Sequence, residues 1–94
     1  MRIYHIIWLS EIEDKLFHKH NVLVEEVEEV LFDHPHIRFV EKGYREAEDL
    51  YAAYGQTLAG RWLIVFFILK SPHDALALSA RDMNRKERRL YARR

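Results

Sequence analysis

Four arginines carry the strongest chemical signal in the chain. Arg81 stands where a predicted strand gives way to a predicted helix, and Arg85, Arg88 and Arg89 follow at spacings of three and four, which puts them on one helical face. A guanidinium fork binds phosphate through two parallel hydrogen bonds, so this pattern suits an RNA backbone. Two plainer readings stand beside it: a solvated helix face, or ion pairs with the acidic stretch around Glu25, Glu26, Glu28 and Glu29. Glu87 lies three residues after Asn84, the spacing of a capping box, and capping is favoured for it over catalysis.

The six histidines offer a second chemistry. Lys19-His20 closes a predicted helix, where cationic groups meet the negative end of the helix dipole. The functional alternative is acid–base work, because histidine side chains titrate near neutral pH. His18-Lys19-His20 and His34-Pro35-His36 both have the H-x-H spacing. On a helix that spacing points the rings about 200° apart, so the first pair is a poor chelate. The second pair could ligate a metal, but no third ligand is specified. No metal or other cofactor is therefore expected. The chain has no cysteine, which excludes disulfides and cysteine-based zinc sites. Phosphate-binding glycine loops, serine nucleophile elbows and calcium loops are missing too.

These side chains need elements to position them. A short strand is expected over residues 2–9. A helix then runs from Ser10, read as its cap with Glu13 completing a capping box, to about His20. Asn21 tolerates the left-handed conformation and is read as its stop. Val24 to Phe32 has an apolar face of Val24, Val27, Val30 and Leu31, so a second helix is expected there, broken at Asp33-His34-Pro35-His36. Strands follow at 37–42, at 50–54 with Gly55 as the stop, at 62–69 and at 75–80. A basic closing helix spans roughly Asp82 to Arg94, with Asn84 as its cap. Trp62 to Leu69 is apolar almost throughout, as suits a central strand buried on both faces. The order β-α-α-β-β-β-β-α, with short links among the last four strands, implies an α+β domain. An antiparallel meander should form, with helices covering one face of it.

Composition bounds the rest. Ninety-four residues fit one domain over 1–94, and 49% hydrophobic content supports one real core. The apolar run at 62–69 is far short of the ~20 residues of a membrane-spanning helix. The first nine residues do not read as a signal peptide, and a cytoplasmic protein is expected. The net charge of zero is a cancellation: residues 1–74 hold 8 Lys+Arg against 13 Asp+Glu, and residues 75–94 hold 7 against 2. Such a split points to a polyanion or acidic partner for the tail, or to a basic helix docked on its own acidic half.

Taken together, the motifs resemble the BrnT family. The front half carries Trp8, Lys15, Lys19-His20-Asn21-Val22, Glu25-Glu26 and Phe32-Asp33. The back half carries Gly55-Gln56-Thr57, Gly60-Arg61, the apolar strand, Ser79-Ala80-Arg81, Glu87-Arg88 and Tyr91. The resemblance implies a RelE-like fold and the toxin of a bacterial type II toxin–antitoxin pair. Such a toxin is an endoribonuclease that blocks translation and is neutralised by a BrnA-type ribbon-helix-helix antitoxin in a hetero-oligomer; a homo-oligomer is also open. On this reading Arg81, His20, Lys19 and Arg61 are catalytic, and Arg85, Arg88, Arg89, Lys70 and Lys15 bind RNA. The family commonly has arginine where this chain has Leu50, Lys70 and Leu76. A non-catalytic module that pairs with an antitoxin-like DNA-binding protein, or with an acidic partner, is the alternative.

Overall fold

The computed structural model describes residues 1–92. The elements are β1 (His5–Ile7), α1 (Ser10–His20), α2 (Val24–Phe32), β2 (His36–Glu41), β3 (Leu50–Gln56), β4 (Trp62–Ser71), β5 (Asp74–Asp82) and α3 (Arg85–Ala92). Arg93 and Arg94, placed in the closing helix by the sequence reading, lie outside the described residues.

Local chemistry explains most element boundaries. Asn21 stops α1 in the left-handed conformation, with φ 54°; its N–H donates to the Phe17 carbonyl and the Val22 N–H to that of Leu16. Ser10 is not the cap of α1. Leu9 is the cap residue, and the Ser10 hydroxyl donates to Glu11 instead, so the expected capping box does not form. At α3 the box does form. The Glu87 N–H donates to Asn84 Oδ1 and the Asn84 N–H donates to Glu87 Oε1, both at 2.8 Å. This helix begins after Asp82, because Asp82 still pairs with Leu63 in the sheet.

The sheet has the order β1-β5-β4-β3-β2. Strands β2 to β5 form an antiparallel meander, as expected. β1 makes the sheet mixed: it adds to the outer edge of β5 in parallel. Parallel neighbours need a long crossover, and here almost the whole chain lies between them. Gly55 does not stop β3. It pairs with Leu63, and a Cβ there would sit 3.1 Å from a Val30 methyl, so the missing side chain lets α2 approach the sheet.

The two faces of the sheet are covered differently. Ala53, Leu63, Val65, Phe67 and Ala80 pack with Leu16 and Val22 at α1 and with Val27, Val30 and Leu31 of α2. The opposite face carries Ala52 and Ile64, packed with Met83 and with the half-buried Tyr54, Trp62, Phe66 and Tyr91. The expected single helical face is thus corrected. α1 and α2 cover one face, and α3 lies on the other through Tyr91, whose ring meets Trp62 edge-on at 5.5 Å. Strand alternation makes this possible, since neighbouring residues serve opposite layers.

Candidate active site

The end of β5 gathers most of the chemistry. Arg61 follows the β3–β4 turn, where Thr57 holds it by two backbone links: the Thr57 N–H donates to the Arg61 carbonyl and the Arg61 N–H donates to Thr57 Oγ1. Its guanidinium then makes five contacts. Nε donates to Asp82 Oδ1 at 2.7 Å and Nη2 to Asp82 Oδ2 at 3.2 Å. Nη1 donates to the Asn21 carbonyl at 2.7 Å and to Glu26 Oε1 at 3.0 Å. Nη2 also donates to the His20 carbonyl at 3.2 Å. A guanidinium has five N–H donors, so this one is saturated within the protein. It ties the end of α1, the start of α2 and the end of β5 together. Glu26 does double duty, accepting from the Leu23 N–H as well.

Asp82 is the electrostatic focus of this corner. The Arg61 hydrogen bond, with charge attraction from Arg61, Arg88 and His20, holds its carboxyl below the usual carboxylate range despite partial desolvation. His20 on α1 and Arg88 on α3 thus both act by charge on this carboxylate. The His20 backbone carries its tie to Arg61, which leaves the imidazole out of the brace. Lys19 is exposed beside it, and Lys15 is exposed one turn earlier on α1.

Arg81 points to the opposite face of the sheet. It grips Glu87 through two bonds, Nη1 to Oε1 at 2.8 Å and Nη2 to Oε2 at 2.9 Å, and its guanidinium lies 5.8 Å from the Phe66 ring centroid. The fork holds the Glu87 carboxyl below the usual carboxylate range, and the backbone bond from Asn84 adds to this. Glu87 thus serves two roles: it caps α3 and it orients Arg81.

The predicted residues therefore fall into separate groups. Arg61 and the end of α1, which carries Lys19 and His20, are tied together at Asp82, and Arg88 acts on that carboxylate by charge. Arg81 adjoins it on the same strand but faces away. Arg85 and Arg89 are exposed on α3. Lys70 is exposed near the far end of β4, six residues from Ile64, the partner of Arg81, or about 20 Å along the strand. Leu50 and Leu76 both pair with Ile68, so they form one apolar cross-strand row.

A cleft of about 420 Å³ opens beside the Arg81–Glu87 pair. His36, Arg38, Tyr54, Lys86, Glu87 and Tyr91 are among its walls. The sequence reading weighed His36 only as half of a metal pair and did not single out Arg38 or Tyr54. One signal was available, since His36 and Arg38 alternate along a strand and must share a face. What lies opposite them depends on strand pairing, which sequence spacing does not carry. Among the described residues no group of three or more His, Asp or Glu is placed to hold a metal ion. No described helix is long and apolar enough to cross a membrane.

Comparison with known proteins bears on the same residues. Residues 8–87 match the model of the family described as the ribonuclease toxin, BrnT, of type II toxin–antitoxin systems. The fold is similar to the crystal structure of the Brucella abortus ribonuclease toxin, BrnT, with a TM-score of 0.61 at 17% sequence identity. That similarity covers 86% of this chain and 97% of the Brucella chain. No curated protein sequence matches significantly. The matched segment includes Lys19, His20, Arg61, Arg81 and Glu87, and over that length the chain belongs to the family of BrnT ribonuclease toxins of type II toxin–antitoxin systems.

Proposed function

We propose that this protein is a toxin that cleaves RNA without a metal ion and so inhibits translation, and that a BrnA-type ribbon-helix-helix antitoxin neutralises it in a hetero-oligomer. The RNA supplies its own nucleophile. A base takes the proton of a 2′-OH, the oxygen attacks the adjacent phosphorus, and the bond to the 5′-oxygen breaks as that oxygen gains a proton. The products are a 2′,3′-cyclic phosphate and a free 5′-OH. Such a reaction needs a proton acceptor, a proton donor and cations on the phosphorane.

The observation that carries this reading is the corner at Asp82. There a saturated guanidinium ties the end of α1 to the end of β5, and His20 and Arg88 act by charge on the Asp82 carboxylate that it holds. In the proposed site His20 is the acid–base group. Lys19 and Arg88 stabilise phosphate charge, Arg81 meets the RNA strand from the other face of the sheet, and Arg61 acts by positioning the others. Lys15, Lys70, Arg85 and Arg89 contribute longer-range contacts to the RNA backbone.

His20→Ala is the sharpest test. The brace uses the His20 backbone carbonyl, which the substitution keeps. The variant is expected to melt like the wild type and to lose cleavage of total RNA in EDTA by at least about 100-fold, the usual scale of an acid–base group. Arg81→Ala is expected to lose growth arrest and cleavage as well. Intact RNA with the wild-type protein, or full cleavage by folded His20→Ala, would overturn the assignment.

A further inference from the structure

The cleft beside Arg81 has a composition that the corner at Asp82 does not use. Two of its walls are cationic side chains from different elements, Arg38 on β2 and Lys86 on α3. Both are exposed, and neither has an ion-pair partner among the described residues. The one acidic wall, Glu87, is held by the Arg81 fork and the α3 cap. Its charge is offset inside the protein, so Arg38 and Lys86 leave the cleft with surplus positive charge. The remaining walls include flat rings. Tyr54 lies 6.2 Å from His36, and Tyr91 is fixed edge-on against Trp62. Rings already held by packing lose little freedom when a nucleobase stacks on them.

We propose that this cleft binds one nucleotide of single-stranded RNA, its phosphate on Arg38 and Lys86 and its base against Tyr54 or Tyr91. The volume of about 420 Å³ lies in the range of small-ligand sites. A paired base could not reach these rings, because duplex RNA keeps its bases stacked inside the helix. The cleft is thus a subsite that selects unpaired substrate and leads the strand past Arg81. The inference rests on the RNA reading above and adds the place where the strand is held.

The test is fluorescence anisotropy with a fluorescein-labelled, 2′-O-methylated 12-nucleotide single strand, which cannot be cleaved. The double variant Arg38→Ala, Lys86→Ala is expected to bind at least about tenfold more weakly. Its affinity should also depend less on salt, with the log–log slope smaller by roughly 1 to 2, the signature of two lost phosphate contacts. Tyr54→Leu should weaken binding about fivefold or more with the slope unchanged, as loss of stacking without loss of charge. Arg45→Ala, a cation outside the cleft, should bind as wild type. Melting curves confirm that each variant is folded.

Double-variant binding within twofold of wild type would overturn the cleft assignment, as would failure of the wild type to bind the strand. The two readings fall separately. Wild-type protein that binds through the cleft but leaves ordinary RNA intact keeps the subsite and removes the nuclease. Cleavage that persists while the double variant binds normally keeps the nuclease and removes the subsite.

Discussion

The two faces of the sheet do different work, and adjacent residues show it. Phe67 is fully buried under α1 and α2, within a cluster of fourteen buried residues. Phe66, its neighbour on β4, faces the other way, where among the described residues Ala52, Ile64 and Met83 form the buried cluster and the rings packed on it are half-buried. The arginines divide in the same way. Arg61 has every donor committed to protein partners, whereas Arg81 is held by the Glu87 carboxylate and the Asp82 carbonyl beside an open cleft. One face holds the fold together. The other leaves cations and rings in reach of solvent, and packing that stays thin there leaves room for a ligand.

The largest expected effect breaks that contrast. Phe67→Ala should cost about 3–5 kcal/mol, a large part of the stability of a domain this size. Phe66→Ala should cost less than half as much, because its ring is already partly solvated. Urea denaturation of both variants gives the ratio, and equal losses would remove the distinction between the faces.

Arg61 tests the brace. Arg61→Lys keeps the charge but loses the fork, and a lysine cannot reach Asp82, Glu26 and two carbonyls together. A loss of about 1–3 kcal/mol is expected by chemical denaturation, from the half-buried Glu26 carboxylate and the Asn21 and His20 carbonyls left without donors. RNA cleavage should fall with it even below the melting temperature, because the end of α1 that carries Lys19 and His20 is no longer fixed. A smaller effect is expected at Gly55. Gly55→Val would press its side chain into Val30 and Pro35 and should cost about 1–3 kcal/mol, read from the same denaturation curves, with RNA binding unchanged.

Acid should weaken both pairs slightly. The carboxyls of Asp82 and Glu87 titrate lower in the folded protein than in the unfolded chain. Their stabilising contribution is therefore complete above about pH 4–5 and is lost as pH falls through the lower folded values. Asp82 is 61% exposed, so water screens much of its pairing, and the Glu87 pair should dominate. Glu87→Gln is expected to flatten the acid limb of a stability–pH curve by under about 1 kcal/mol. An unchanged acid limb would show that the Arg81 fork contributes nothing to stability.

Much of this was legible in the residues themselves. The left-handed Asn21, the Asn84–Glu87 capping box and the apolar run of β4 are local signals, and each appears where its chemistry places it. What was hidden is non-local. The parallel docking of β1 on β5 joins residues almost seventy positions apart, and no spacing encodes it. Gly55 reads as a strand breaker until α2 is seen to lean against it. The side taken by α3 depends on which residues of β4 and β5 face which layer, and the sequence pattern of β4 is apolar on both. The site divides along the same line. Lys19-His20 and Arg81 stand out by position at element ends, whereas Arg38 and Lys86 become neighbours only through strand pairing and the fold of α3.

Amide chemical-shift mapping with the uncleavable RNA strand tests the division of the faces most directly. Shifts are expected at Arg38, Tyr54, Arg81, Lys86 and Arg88 and, at the end of α1, at Lys19 and His20, with little change on the outer surfaces of α1 and α2 at Phe17, Glu25 and Glu28. Shifts concentrated on α1 and α2, with the α3 face silent, would contradict it.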